Sequence, residues 1–225
     1  MNKLISFVRL DFMTIKPYFT VKSMVIFAAI AFFLTVVSYN LSSVFVVGMM
    51  FGLMFTSYPF AVSEKTNMDA LYIILSIGRK TVVLGRYVFA LFLNICAVVF
   101  SFIFALAGLL TAQATNFGNR IGEVLWMVIL FAALFAVIQV IQLPFFFKFG
   151  YTKARFLSIV PFIAIMAGYV TFTSMRNSGF SGSITENLTN TLGGGSMITL
   201  AILFLLLLIF TSYRLSLSFY RKREF

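Results

Sequence analysis

Long apolar runs alternate with short basic borders along this chain. Between Lys22 and Glu64 there are 41 residues without a charge. As one helix they would extend ~60 Å at about 1.5 Å per residue, roughly twice the ~30 Å hydrocarbon core of a bilayer. The run therefore crosses twice and turns at its polar interruption, Tyr39-Asn40-Leu41-Ser42-Ser43. This places spans at about 24–39 and 44–62. Further apolar runs place spans at about 82–111, 124–147, 156–173 and 197–213. The third is long for one crossing and is expected to tilt or to project past the bilayer. All six are helices by necessity, because an isolated strand cannot satisfy its backbone in lipid. The expectation is that the runs themselves carry no ionisable group.

Composition agrees with this all-α, polytopic membrane reading. The chain is 61% hydrophobic and 10% charged, whereas soluble domains are nearer 45–50% and 25%. The net charge of +11 does not mark a nucleic-acid binder, because the basic residues border apolar runs instead of forming one soluble face. Attraction to anionic inner-leaflet lipid accounts for it. With the N-terminus placed in the cytoplasm, the inner segments hold Lys3, Arg9, Lys16, Lys22, Lys65, Arg79, Lys80, Arg86, Lys148, Lys153, Arg155, Arg214, Arg221, Lys222 and Arg223. Only Arg120 and Arg176 fall outside. Such a bias predicts both termini in the cytoplasm.

The same composition excludes several chemistries. There is no histidine and a single cysteine, Cys96, which excludes a Ser-His triad, a zincin motif and an intrachain disulfide. No metal site is expected. The N-terminal apolar run continues far past the length of a signal peptide and is read as a retained first span.

Three segments between the spans are informative. Residues 2–22 place Leu4, Ile5, Val8, Phe12 and Ile15 at helical spacing, interleaved with Lys3, Arg9 and Lys16. That pattern predicts a helix lying in the inner interface, ended or kinked by Pro17. The loop 64–80 predicts a short amphipathic helix with Ser63 as N-cap, Glu64 and Asp69 near its start, and Leu71, Ile74 and Leu75 on one face. Gly78 would end it, with Arg79 and Lys80 at its C-terminal side. The segment 176–196, rich in Gly, Ser, Asn and Thr, reads as a mobile outer loop. No segment is long enough for a soluble domain, so residues 1–225 form one membrane domain.

Uncharged polar residues occur within the runs: Thr56, Ser57 and Tyr58, Asn94 and Ser101, Gln139 and Gln142, Thr171 and Thr173. In lipid such groups need partners or water. They either bond helix to helix or line a cavity, and Thr56, Asn94, Gln139 and Gln142 are the candidates for a cavity. Gly48 and Gly52 form a GxxxG pattern that permits close helix approach. Pro59 and Pro161 can bend their spans.

The stretch from Glu64 through Leu71-Tyr72-Ile73-Ile74-Leu75-Ser76-Ile77-Gly78-Arg79-Lys80 to Val82-Val83-Leu84-Gly85-Arg86-Tyr87 resembles the loop after the second span of ABC-2 type transporter permeases. Ser76 stands where those proteins usually have proline. The six-span layout, the amphipathic N-terminal segment and the length are similar as well. Within the family the chain looks most like the small permeases that export phenol-soluble modulins and similar peptides. The resemblance implies a bacterial plasma-membrane protein that pairs with a second permease copy or paralogue and with separate ABC ATPase subunits. It implies a coupling helix at 64–79 whose Glu64, Asp69, Leu71, Tyr72, Leu75 and Arg79 contact the ATPase. It implies amphipathic or hydrophobic cargo, such as peptides.

The chain has no G-x-x-x-x-G-K-[ST] motif, so it is not expected to be an enzyme. It is expected to bind no cofactor of its own, with ATP and magnesium on the partner subunit. An ion-coupled secondary transporter and a component of a cassette-linked importer remain the alternative readings. The first of these usually needs a buried acid, a histidine or a broken helix.

Overall fold

The computed structural model describes residues 3–17, 20–38, 42–66, 68–74, 77–111, 117–157, 160, 163, 167 and 180–222. Among these residues every regular element is helical. In chain order they are α1 (Lys3–Ile15), α2 (Val21–Ser38), α3 (Ser42–Lys65), α4 (Met68–Ile74), α5 (Arg79–Thr111), α6 (Phe117–Leu157) and α7 (Phe180–Arg221).

Four stretches among the described residues are long and apolar enough to cross a membrane: Val44–Lys65, Arg79–Ala107, Val124–Ala154 and Ile202–Arg221. They lie in α3, α5, α6 and α7. The second of the six expected runs corresponds to α3, the third to α5, the fourth to α6 and the sixth to α7. α2 occupies the place of the first. The fifth, 156–173, lies largely outside the described residues.

The helices overrun their expected ends. α3 passes through Pro59 without a break and continues to Lys65. α6 continues past the expected end at 147 to Leu157, bending at Gly150, whose backbone has φ 74°. A positive φ of that size is open to glycine and costly for other residues. The segment 176–196 differs most from expectation. The described part of it is helical from Phe180 onward, within α7, instead of a mobile loop. Ile184, Leu188 and Leu192 recur every four residues there, a helical spacing that the Gly- and Ser-rich composition obscures.

Packing between the helices is close where the sequence placed its small residues. A Cβ built on Gly48 would come within 2.0 Å of the Ser101 hydroxyl and 3.2 Å of the Ala97 carbonyl on α5. One built on Gly52 would come within 2.3 Å of the Phe135 ring on α6. The GxxxG face of α3 is thus spent on its own neighbours α5 and α6. Between helices in lipid, such contact and hydrogen bonding take the place of water-driven burial.

At one end of the bundle α1 lies across α3 and α5. Phe7, Asp11 and Ile15, each four residues apart, form its buried stripe, while Ile5 and Phe12 are exposed. The expected apolar face, with Leu4, Ile5, Val8, Phe12 and Ile15, is therefore rotated, and an acid sits in the middle of the buried one. Gly85 makes the docking possible: a Cβ there would meet the Phe7 ring at 2.3 Å.

Candidate functional site

α4 and the helix ends around it gather the polar chemistry of this end of the molecule. α4 itself spans only Met68–Ile74, shorter than the 64–79 helix expected from the sequence. Glu64 belongs to the last turn of α3 and Arg79 opens α5. Ser63 is not an N-cap, because α3 runs through it. Gly78 does not end α4. Its carbonyl instead accepts from the amides of Thr81 (2.8 Å) and Val82 (3.2 Å), so it stands at the N-terminal boundary of α5. The reason is common to all four residues. Both spans extend beyond the bilayer-sized run as continuous helix, and leave only a two-turn remnant between them.

Each candidate residue then finds a separate place. Tyr72 is 2% exposed and faces the core. Its ring meets Phe7 edge-on at 5.3 Å, and its hydroxyl lies 3.3 Å from Ser63 Oγ. Leu71 and Ile74, on the other side of α4, are 41% and 78% exposed. The Glu64 carboxylate accepts from the backbone amides of Tyr151 and Thr152, the latter at 3.1 Å, and from the Thr152 hydroxyl at 2.6 Å. It therefore caps the helical segment that restarts after Gly150. This is where a carboxylate is favoured, because the first amides of a helix have no internal acceptor. Arg79 donates to the Arg221 carbonyl at 2.5 Å, tying the start of α5 to the end of α7. The Asp69 side chain and all of Leu75 lie outside the described residues.

Arg86, one of the border charges of the sequence pattern, is the centre of this region. It lies inside α5, within the candidate span Arg79–Ala107, and is 3% exposed. Its Nε is 3.4 Å from the Asp11 carboxylate on α1, which is 1% exposed. Its Nη2 donates to Ser63 Oγ at 2.9 Å and to the Tyr72 hydroxyl at 3.5 Å. Its guanidinium lies over the Phe60 ring at 4.7 Å and near Phe7 at 5.8 Å, positions that suit cation–π attraction. The expectation of apolar runs without an ionisable group is thus overturned at this point. Burial pushes the Asp11 carboxyl from 3.8 up to about 6, and the Arg86 charge beside it offsets only part of that rise. Among the described residues, neither Asp11 oxygen and neither Nε nor Nη1 of Arg86 has a hydrogen bond of good geometry. A cavity of ≈ 30 Å³, enough for about one water, borders Arg86 and is also lined by Ser63, Glu64, Gly150 and Tyr151.

The signal for this pair was present in the spacing. Asp11 is four residues from both Phe7 and Ile15, and Arg86 is three from Val83 and four from Ala90. Each charge therefore sits on the buried stripe of its own helix.

The second group of candidates lies deeper in the bundle. Gln139 Nε2 donates to Thr56 Oγ1 and to the Ala90 carbonyl, both at 3.0 Å. Thr56 donates to the Gly52 carbonyl at 2.8 Å. Asn94 Nδ2 donates to the Ala132 carbonyl at 3.3 Å and to Gln139 Oε1 at 3.5 Å. Thr56, Asn94 and Gln139 thereby join α3, α5 and α6 by direct bonds. Gln139 also borders an apolar cavity of ≈ 270 Å³ between α5, α6 and α7, with Tyr87, Ala136 and Phe210 on its walls. Gln142 is buried, one turn further along α6, and does not line that cavity. Near the C-terminal end of α7, the Tyr87 hydroxyl meets Ser212 and Ser216 at 2.5 and 2.9 Å, and Ser212 donates to the Val140 carbonyl. Among the described residues no cluster of acids or sulfur ligands could hold a metal ion.

In comparisons with known proteins, the family model described as ABC-2 family transporter protein matches residues 6–221. No match was found among curated proteins or among solved structures.

Proposed function

The chain belongs to the ABC-2 transporter family, and we propose from that premise that it is the membrane permease subunit of an ATP-driven exporter, docking on its ATPase through α4. One observation carries the proposal. α4 is held from below by Tyr72 and presents Leu71 and Ile74 outward, so it is anchored on one side and apolar on the other. An exposed apolar pair at i, i+3 on a short helix is suited to a groove on a partner protein. Membership of the family supports an ABC ATPase as that partner.

The rest of the reading follows. The chain crosses the bilayer six times, with both termini and α4 on the cytoplasmic side, as the basic borders indicate. A second permease completes the path, ATP and magnesium are held by the ATPase subunits, and closure of those subunits moves α4 and switches access. The cargo is amphipathic or apolar, such as a peptide. The apolar cavity beside Gln139 supports that choice, since its wall offers little to a charged solute.

The test is reconstitution with the ATPase subunits. Leu71→Asp together with Ile74→Asp should abolish the permease's stimulation of ATP hydrolysis while leaving membrane insertion intact. Undiminished stimulation would sink the proposal.

A further inference from the structure

We propose that Arg86 is the positioning residue through which a displacement of α4 reaches α1, α3 and α5. This rests on the reading of α4 as the docking helix and adds to it the link between that helix and the bundle.

The guanidinium reaches three neighbouring helices. It is carried by α5, and its forked nitrogens address Asp11 on α1, Ser63 on α3 and the Tyr72 hydroxyl on α4. No other side chain among the described residues is shown making polar contact with all three. A planar fork with fixed donors transmits direction as well as attraction, which a lysine in its place could not do. Tyr72 is also pinned through its ring to Phe7 of α1, so α4 cannot shift far without changing the surroundings of both Arg86 and α1.

This centre also has room to rearrange. Nε and Nη1 of Arg86 and both Asp11 oxygens lack well-formed hydrogen bonds among the described residues. The ion pair is a 3.4 Å contact that can tighten or loosen without first breaking such a bond. Glu64 and Arg86 line the same water-sized cavity, so a second carboxylate borders the space beside the guanidinium. Glu64 itself caps the segment after the Gly150 bend in α6. A turn of Arg86 from Asp11 toward Glu64 would release α1 and load the bend in α6. Two such arrangements of one buried cation form the kind of discrete, bistable element that carries coupling between distant sites.

A merely structural ion pair predicts something different, and the native protein offers the probe. Cys96 is the only cysteine in the sequence and is exposed on α5, ten residues beyond Arg86. The permease is reconstituted with its ATPase subunits, labelled at Cys96 with an environment-sensitive fluorophore, and challenged with ATP and vanadate. The wild-type complex should show an ATP-dependent change in emission. Arg86→Met and Asp11→Asn should keep ATP hydrolysis within about twofold yet remove most of the emission change, as loss of the coupling between the two sites predicts. The exchange Asp11→Arg with Arg86→Asp should restore part of the signal. Asp11→Asn guards against misfolding, because it removes a costly buried charge while keeping the shape of the side chain.

An undiminished Cys96 response in Asp11→Asn and Arg86→Met would overturn the inference. So would a wild-type complex that hydrolyses ATP without any change at Cys96. If Leu71→Asp with Ile74→Asp leaves ATPase stimulation intact, the docking reading fails first. If those substitutions uncouple the ATPase while the Arg86 and Asp11 variants respond as wild type, the link through Arg86 alone is wrong.

Discussion

Replacing Asp11 with asparagine should make the protein more stable at neutral pH, not less. In the folded state burial raises the Asp11 carboxyl to about 6 from 3.8, against the partial pull of Arg86. A raised acid pKa means that the folded protein holds the proton more tightly than the unfolded chain does. Stability from this group is therefore fully present below pH 3.8 and is lost as pH rises through about 6. The shift of roughly two units corresponds to about 3 kcal/mol at most, taking ~1.4 kcal/mol per unit. Asparagine mimics the neutral acid in size and shape, so Asp11→Asn should recover much of that amount at pH 7.5. For a chain of this length the gain corresponds to a rise of roughly 6–12 °C in Tm. The assay is thermal unfolding of the detergent-solubilised permease between pH 4.5 and 8, read by near-ultraviolet dichroism. Wild type should become more stable as the pH falls through 6, and the variant should lose that dependence. The opposing expectation is that removing one partner of a buried pair costs about 3–5 kcal/mol by stranding the other. A variant less stable than wild type by that amount at pH 7.5 would refute the reasoning. A more stable variant would mean that the pair is kept at a cost to the fold, the trade-off met at residues retained for function.

Three other substitutions test the packing. Gly52→Leu drives a side chain into Phe135 and should destabilise the bundle by at least about 1–3 kcal/mol, read as a lower Tm in detergent. Gln139→Leu removes the bonds to Thr56 and the Ala90 carbonyl that join α6 to α3 and α5, at a cost of about 1–2 kcal/mol, measurable in the same melt. Glu64→Gln weakens the cap on the segment after Gly150 by roughly 1 kcal/mol, and should show as faster amide exchange at Tyr151 and Thr152 with little change in α7.

The hydrophobic pattern located α3 and α5 well because their apolar runs are bounded by charges and exceed what a soluble core would use. It located the ends of helices poorly. A helix leaving the bilayer does not stop where its sequence turns polar, as α3 at Lys65 and α6 at Leu157 illustrate. The GxxxG pattern named two close approaches correctly because only a missing Cβ permits them, but it could not say which helices would meet. Thr56, Asn94 and Gln139 were visible as polar residues that needed partners. Their mutual bonds depend on the register between α3, α5 and α6, which no single-helix pattern contains. The largest omission was the Asp11–Arg86 pair. Counting charges by border assigned Arg86 to the inner surface, whereas its position three residues after Val83 placed it on the buried face of α5. For a charge near the end of a span, helical phase decides burial as much as distance along the chain does.

The central claim is that α4 is where this permease meets its ATPase, and a photo-crosslinking amino acid at Ile74 tests it most directly. The position is 78% exposed and lies on the face opposite Tyr72. In membranes containing the assembled transporter, irradiation should join the permease to the ATPase subunit through residue 74. The same probe at Leu203, on the apolar outer face of α7, should not produce that adduct. Absence of the adduct at 74, with the ATPase crosslinking instead to Lys153 on the far arm of α6, would contradict the account.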